Sequence, residues 1–477
     1  MVRFRALEPE LKLNLNPDHS LRDRLAALIG DDAVRDDPDT LAEHSRDKWF
    51  ASVLPDVAVF PSNAEMVSAV LHFANDARIP VTPRGAGFGY VGGCVPSRRG
   101  IVISLARMNR IKEIHAADGV AVVEPGVITG VLQSAARDQR LFYPPDPASL
   151  KECSIGGNIA TNAGGPRCLK YGVTRNYILG LEVVLASGEI LRTGSRTHKN
   201  KTGFDLIGMF VGSEGLLGVV TEATLRLLPM PPARAVLSAS FPALQQASDA
   251  VQRILAAGYL PAALEVADAF TLQAAREHLG QAIVPEGEGH LLVELDGQEA
   301  SVKSEAADLA VLLRAHGALH LQEAFGDEEG ERLWALRRKF SESLKSTGLT
   351  KLNEDIVVPR SRLVDLAEFA AGLRERYGFP VACFGHAGDG NIHTNVMAAD
   401  YDNPAVREKV DQALDELFTQ VLAWGGVITG EHGVGLAKKR WWPQATTPVS
   451  RHVHAAIKQA LDPNGILNPG KFLSISP

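Results

Sequence analysis

The chain has 477 residues, 45% hydrophobic and 22% charged, with a formal net charge of −7. That length exceeds one ordinary core and predicts two or three domains. The composition is that of a globular protein, and the acidic balance argues against nucleic acid as a partner, which wants a basic face. Four scattered cysteines, Cys94, Cys153, Cys168 and Cys383, form no CxxC pair. This excludes a disulfide framework and a Cys-ligated iron–sulfur cluster. No apolar run reaches the ~18 residues that span a bilayer. Residues 1–20 have no apolar core and carry Glu8, Glu10 and Asp18, unlike a secretory signal or a transit peptide. A cytoplasmic protein is expected, able to rest on the inner membrane through a partner.

Residues 21–50 read as short polar helices. A strand over 57–60, a helix over 63–77 and a strand over 79–83 make a small βαβ unit that ends at a glycine-rich loop. Further strands are predicted over 100–105, 119–123, 178–185 and 218–228. The run Met230-Pro231-Pro232 is the clearest break in the chain. Beyond it, strands over 235–241 and 291–295 alternate with helices over 244–257 and 300–316, the pattern of a separate α+β domain. From residue 425 a glycine-rich stretch and a last helix lead to Asn468-Pro469-Gly470-Lys471.

The loop Arg84-Gly85-Ala86-Gly87-Phe88-Gly89-Tyr90-Val91-Gly92 contains a G-x-G-x-x-G match from Gly87 to Gly92. A dinucleotide fingerprint of that kind must open a helix. Here a strand follows instead, so that reading is set aside. Many glycines still let backbone N–H groups approach an anion closely. A second small-residue loop runs from Ser154-Ile155-Gly156-Gly157-Asn158 through Ala160-Thr161-Asn162-Ala163-Gly164, after Pro144-Pro145-Asp146-Pro147. Two such loops are what a large planar cofactor lying against backbone requires.

With these loops the sequence resembles the vanillyl-alcohol oxidase/PCMH flavoproteins, in the branch of D-lactate dehydrogenase, D-2-hydroxyglutarate dehydrogenase and the glycolate oxidase D subunit. The runs Lys201-Thr202-Gly203-Phe204-Asp205-Leu206 and Gly212-Ser213-Glu214-Gly215-Leu216-Leu217-Gly218 support it. The resemblance spans nearly the whole chain and implies an α+β fold. A PCMH-type FAD-binding domain of two α+β subdomains would occupy 1–232. An α+β substrate or cap domain would occupy 233–424, and 425–477 would close on the flavin and active site. The resemblance places the FAD pyrophosphate on Arg84, Gly85, Ala86, Gly87, Phe88, Gly89 and Tyr90. It places the flavin ring and ribityl chain by Pro145, Asp146, Ser154, Gly157, Asn158, Ala160, Thr161, Asn162 and Gly164. Gly218 and Val220 line the adenine side, and Lys471 is a further FAD contact. Phe88, Val91 and Leu216 replace the hydroxyl residues usual in the family. No histidine stands where some members attach FAD covalently, so non-covalent FAD is expected.

The chemistry lies further on. A strand over 381–385, a turn over 387–391 and a returning strand over 392–397 would bring His386 and His393 across from each other. Two facing imidazoles suit a divalent cation, and Glu431, in Gly430-Glu431-His432-Gly433, is the natural carboxylate to complete three ligands. The resemblance supports the same set and leaves His432 as the base. Zinc is the expected metal, with manganese or iron as alternatives. The resemblance also implies substrate contacts at Arg337, Ser341 and Lys351, with Asn395 near the hydroxyl. Arg338 and Lys339 read as a solvated face, and Asp389 and Asn391 as turn formers.

The expected reaction is oxidation of a D-2-hydroxy acid, D-lactate-like as first choice, with hydride passing to flavin N5. D-2-hydroxyglutarate dehydrogenase and glycolate oxidase subunit are the alternatives within the branch. A flavin lyase/transferase like the alkylglycerone-phosphate synthases is the alternative of another class. With no iron–sulfur module of its own, the chain needs a separate acceptor: a quinone, an electron-transfer flavoprotein, a cytochrome or an iron–sulfur subunit. A homodimer is expected.

Overall fold

The computed structural model describes residues 20–473. The stretch read above as lacking a leader lies almost wholly outside them. Two α+β lobes precede a larger α+β domain, and the last segment returns to the first lobe.

The first lobe holds a four-stranded sheet in which Val57–Val59 and Val81–Arg84 both run parallel to Ile101–Ser104 between them. The helix Ala64–Ala77 crosses over that sheet. Asn63 caps it, its side chain accepting from the Met66 N–H, and Arg78 ends it at φ 53°. Val67, Val70, Leu71 and Ala74 recur at helical spacing and are wholly buried. Each larger side chain contributes about 1.5–3 kcal/mol by leaving water.

The second lobe is a five-stranded antiparallel sheet, ordered Ile111–His115, Val120–Val123, Val219–Arg226, Ile178–Val184, Ile190–Gly194. The segment read as a small-residue loop at 154–163 is a helix here, Ile155–Thr161, capped by the Ser154 side chain. Its glycines serve packing: a Cβ on Gly156 would lie 2.7 Å from the Pro125 Cβ. Gly87 to Gly92 opens no helix.

The third unit is a seven-stranded antiparallel sheet, ordered His320–Phe325, Ala233–Phe241, Gly289–Gly297, Ala263–Ala267, Val381–His386, Asn391–Ala398, Thr350–Val357. Alternation decides its two faces. Leu264, Val266, Leu352, Ile356, Cys383, Ile392 and Val396 point into a core shared with helices Leu244–Ala256, Glu299–Ala315, Leu363–Tyr377 and Pro404–Ala423. The opposite face packs Ala382, Phe384 and Met397 against Leu336, Phe340 and Leu344 of helix Asp327–Ser346. That face also carries the polar set described below.

Buried charges join this unit to the lobes. Arg167 donates to Glu294 at 2.7 Å and to Asp146 at 2.5 Å, and Tyr171 donates to Asp296 at 2.6 Å. The final segment packs on the first lobe, where Leu467 bridges Val81 and enters its core beside Ile466. Among the described residues no helix is long and apolar enough to cross a membrane.

Candidate active site

A cavity of about 550 Å³ opens between the lobes, floored by the 84–91 loop, Pro147, Ala148, Ser149, the Ser154–Thr161 segment and the 213–220 turn. Arg338, Ser341, Lys345, Glu431 and His432 close it from the side of the third unit. Arg84, Gly85, Ala86, Gly87, Phe88, Gly89, Tyr90, Ser154, Gly157, Asn158, Ala160, Thr161, Gly218 and Val220 all line it. Several of their side chains are spent on the scaffold. Arg84 donates to the Arg46 carbonyl at 2.7 Å, and Asn158 donates to the Thr129 hydroxyl at 2.7 Å. Ser154 Oγ accepts from the Ala86 N–H at 3.3 Å and so ties the two glycine-rich segments together.

Pro145, Asp146, Asn162, Gly164 and Lys471 do not line the cavity. Asp146 is held by Arg167. Asn162 accepts from the Arg175 N–H at 2.9 Å, and Lys471 donates to the Val95 carbonyl at 2.5 Å. Burial, relieved by Arg167, puts the Asp146 carboxyl at about 7. Glycines open the cavity to a flat ligand: a Cβ on Gly157 would meet only Ser154 Oγ, at 3.4 Å, and one on Gly93 only a Val91 methyl, at 3.9 Å. The floor thus fits the planar cofactor expected from the sequence.

The hairpin departs from the expected pairing. Phe384 lies opposite His393, and His386 lies opposite Asn391. The two histidines are therefore diagonal neighbours on one face, with ring centroids 5.5 Å apart. The turn between the strands needs glycine at 390, where φ is +84° and a Cβ would lie 2.1 Å from the Val358 carbonyl oxygen. Glu431 Oε1 sits 3.8 Å from His386 Nε2 and 3.5 Å from His393 Nε2. One ligand atom from each of the three residues lies within 4.8 Å of the others. Glu431 Oε2 and His393 Nδ1 are buried without a hydrogen-bond partner among the described residues. Two nitrogens and one oxygen so disposed suit a divalent cation with a position left open.

Two carboxylates organise this set. Glu265 pairs across the strands with His386, accepting from its Nδ1 at 2.6 Å, which leaves Nε2 for a ligand. Burial works against a charged His386, but Glu265 and Glu431 outweigh it and hold its pKa well above the usual imidazole value. The pair thus favours positive charge there, a proton or a cation. Asp355 lies opposite His393 and is wholly buried. Its Oδ2 accepts from the Thr429 hydroxyl and from the N–H groups of Gly430, Glu431 and His432, each at 2.9 Å. Its Oδ1 accepts from Asn391 at 2.6 Å, so Asn391 does more than form the turn. Burial raises the Asp355 pKa, but His432, Lys438, His393 and the Glu431 N–H bring it well below the usual range.

His432 stacks on His393, ring centroids 5.6 Å apart, and Tyr90 lies tilted by 30° against it at 5.3 Å. Its Nε2 is 3.8 Å from Glu431 Oε1, and its Nδ1 is 3.9 Å from Asp355 Oδ2. Burial lowers its pKa more than Asp355 and Glu431 raise it. The ring is therefore neutral near pH 7, as a base requires.

Arg337 lies behind the ligands rather than on the cavity wall. Its Nε donates to Glu265 Oε2 at 2.6 Å, and its terminal nitrogens make no hydrogen bond among the described residues. Ser341 lines the cavity and accepts from Lys351 Nζ at 2.8 Å. Arg338, read as solvated, is exposed; it stands at the cavity edge with Glu331 as its partner at 2.5 Å. Asn395 turns its Nδ2 to the carbonyls of Ala382 and His393.

Residues 55–194 match the family described as an FAD binding domain, and residues 230–472 match FAD linked oxidases, C-terminal domain. The glycolate oxidase subunit GlcD of Bacillus subtilis (strain 168) is 39% identical over 421 residues, covering 88% of this chain and 89% of that protein. A D-lactate dehydrogenase of Archaeoglobus fulgidus is 38% identical over 422 residues, covering 87% and 91%. p-Cresol methylhydroxylase with substrate bound superposes with a TM-score of 0.79 over 95% of this chain and 96% of its own, at 22% identity, and shows the fold alone. The chain belongs to the FAD-linked oxidases of the PCMH fold, in the branch of the D-lactate dehydrogenases and glycolate oxidase D subunits, and is an FAD-dependent oxidoreductase.

Proposed function

We propose that the enzyme oxidises a D-2-hydroxy acid, D-lactate-like, to the 2-oxo acid. The observation that carries this is the meeting of His386, His393 and Glu431 with His432 at the edge of the flavin cavity. FAD is held without a covalent link. When bound there, the flavin would supply the hydride acceptor for C2, and a divalent cation, zinc first, would supply the Lewis acidity that lowers the pKa of the C2 hydroxyl.

The chain's own residues do the rest. His386, His393 and Glu431 hold the cation, with Glu265 orienting His386. His432 takes the hydroxyl proton at Nε2, the ring nitrogen on the ligand side. Tyr90 and His393 keep its plane fixed, and the Asp355 carboxylate beside Nδ1 favours the imidazolium that forms. The Lys351–Ser341 pair at the cavity wall receives the carboxylate, while Arg337, behind the ligands, holds Glu265. Reoxidation uses a separate acceptor. Anaerobic mixing with D-lactate should bleach the flavin, while L-lactate should not. Equal bleaching by both, or none by any D-2-hydroxy acid in a panel, would overturn the proposal.

Lys351 adds a pH signature. Burial, with Lys345 and Arg337 nearby, pushes its pKa down to about 8. It is charged below that pH and neutral above it. KM for a 2-hydroxy acid should therefore rise as pH climbs past about 8, approaching tenfold per unit. Lys351→Arg stays charged and should move the rise to higher pH. A KM independent of pH from 7 to 9.5 in the unaltered enzyme would remove Lys351 from the carboxylate site.

A further inference from the structure

The segment that carries Glu431 and His432 has no helix or strand of its own. Residues 429–438 run through turns and bends, so each backbone N–H must find its acceptor singly. Those of Gly430, Glu431 and His432 go to Asp355 of the third unit. Gly433 donates back to the Thr429 hydroxyl, and Lys438 to the Val434 carbonyl. The N–H groups in between belong to the flavin side. Val434 and Gly435 donate to the two carboxylate oxygens of Glu214, each at 2.7 Å. Leu436 and Ala437 donate to the Val91 carbonyl at 2.7 and 3.1 Å. The segment is thus a strap. One end is held on the sheet that bears His386 and His393, the other on two residues that line the flavin cavity.

Glu214 is the tie nearest to Glu431 and His432. It is buried, and it lines the cavity with Ser213 and Gly215. A buried carboxylate is costly unless matched. Glu214 makes no ion pair among the described residues, and both of its oxygens are spent on N–H groups of the strap. Its own backbone is anchored on the cavity side. The N–H donates to the carbonyl of Ala160, another cavity residue, at 2.8 Å, and the Glu214 carbonyl accepts from Asn468 at 2.7 Å. Its φ of +50° is one that residues other than glycine rarely adopt, and such outliers persist where the surroundings fix them. The strap is shaped to receive this side chain: a Cβ on Gly433 would lie 2.9 Å from Glu214 Oε1.

We propose that Glu214 is a positioning residue that links the two halves of the site, so that FAD and the divalent cation bind cooperatively. The proposal rests on the reading of His386, His393 and Glu431 as cation ligands and adds their coupling to the flavin floor. A cofactor lying on the 84–91 loop and the 213–220 turn fixes the residues that hold the strap. Glu431 then has less freedom to lose when it joins the two histidines, so the second ligand to arrive meets a smaller ordering cost. The coupling runs both ways, because linkage between two binding sites is reciprocal.

The test is made on the full chain. Dilution of holoenzyme, followed by the fluorescence of released FAD, gives Kd for FAD with Zn2+ bound and after chelation. Competition against a chromophoric chelator gives Kd for Zn2+ with and without FAD. Zn2+ should tighten FAD by about fivefold or more, and FAD should tighten Zn2+ by the same factor. With flavin in excess the site stays filled either way, so the coupling is read from Kd and not from colour. Glu214→Ala frees the strap from the second lobe and should shrink both factors to about twofold or less. Glu214→Gln keeps one acceptor oxygen and should fall between. A merely structural role for Glu214 would weaken each affinity and leave the factor unchanged. Factors near one in the unaltered protein, or the full factor in Glu214→Ala, would overturn the proposal while leaving the cation site standing. If holoenzyme binds no Zn2+ at all, the reading of that site fails and the proposal fails with it. The factors of the unaltered protein decide the matter even if the variants fold poorly.

Discussion

Asp355→Ala should lower turnover by about a thousandfold or more and weaken retention of the metal, while FAD content stays close to that of the unaltered enzyme. Four donors converge on one oxygen of this side chain: the Thr429 hydroxyl and three successive backbone N–H groups, of Gly430, Glu431 and His432. Removing it leaves these part-buried N–H groups without their acceptor, at a cost of up to about 1–3 kcal/mol each. The turn must then reopen toward water. Glu431 and His432 ride on that turn, so the carboxylate ligand and the base both lose their places. Displacements of about 1 Å at a reacting group cost about a hundredfold, and losing a positioned base costs about a hundredfold to ten-thousandfold. The cavity floor draws on other segments, so the flavin is spared. Asp355→Asn should fall between the two, since it keeps an acceptor oxygen and loses the charge. Turnover of Asp355→Ala within tenfold of the unaltered enzyme would show that the turn holds itself. Metal analysis, flavin absorbance and anaerobic reduction rates check all three parts.

Asp355 and Glu265 also show where reading the sequence stopped short. The glycine-rich segments, the hairpin and the Gly430-Glu431-His432 run are local in sequence, and each carried its meaning in adjacent residues. The two organising carboxylates are single acids in strands otherwise built for burial. Glu265 stands within Ala-Leu-Glu-Val-Ala, and all five residues are buried. An acid there is expensive unless paired, and that expense was the available signal. Its partners, His386 and Arg337, lie 121 and 72 positions away, so only the folded sheet reveals them. Register is likewise set at long range. The hairpin was legible, but which residues face each other was not, and His386 and His393 proved diagonal rather than opposite. The Ser154 segment reads as a loop from its many small residues, and glycine does disfavour helix. Its cap and the close approach of Pro125 override that preference. Arg337 matched the family pattern by spacing, yet it stands behind the ligands beside Glu265 while Arg338 stands at the cavity edge.

The central claim is the division of labour within one adjacent pair. Glu431 points Oε1 at both candidate ligand histidines, whereas His432 stacks on His393 and meets the tilted Tyr90 ring, with its Nε2 3.8 Å from that same oxygen. Its depressed pKa suits a base that stays neutral near pH 7 and is lost on acidification. His432→Ala removes a proton acceptor without removing a cation ligand, so kcat should fall by about a hundredfold to ten-thousandfold. Glu431→Ala removes the only carboxylate among the three ligands and should release the cation, with turnover lost as a consequence. Both variants should stay yellow. The most direct test measures bound divalent metal and the anaerobic rate of flavin reduction in the two variants side by side. The account predicts full metal with slow reduction in His432→Ala, and lost metal with lost reduction in Glu431→Ala. Loss of metal from His432→Ala, or full metal and normal reduction in Glu431→Ala, would contradict it.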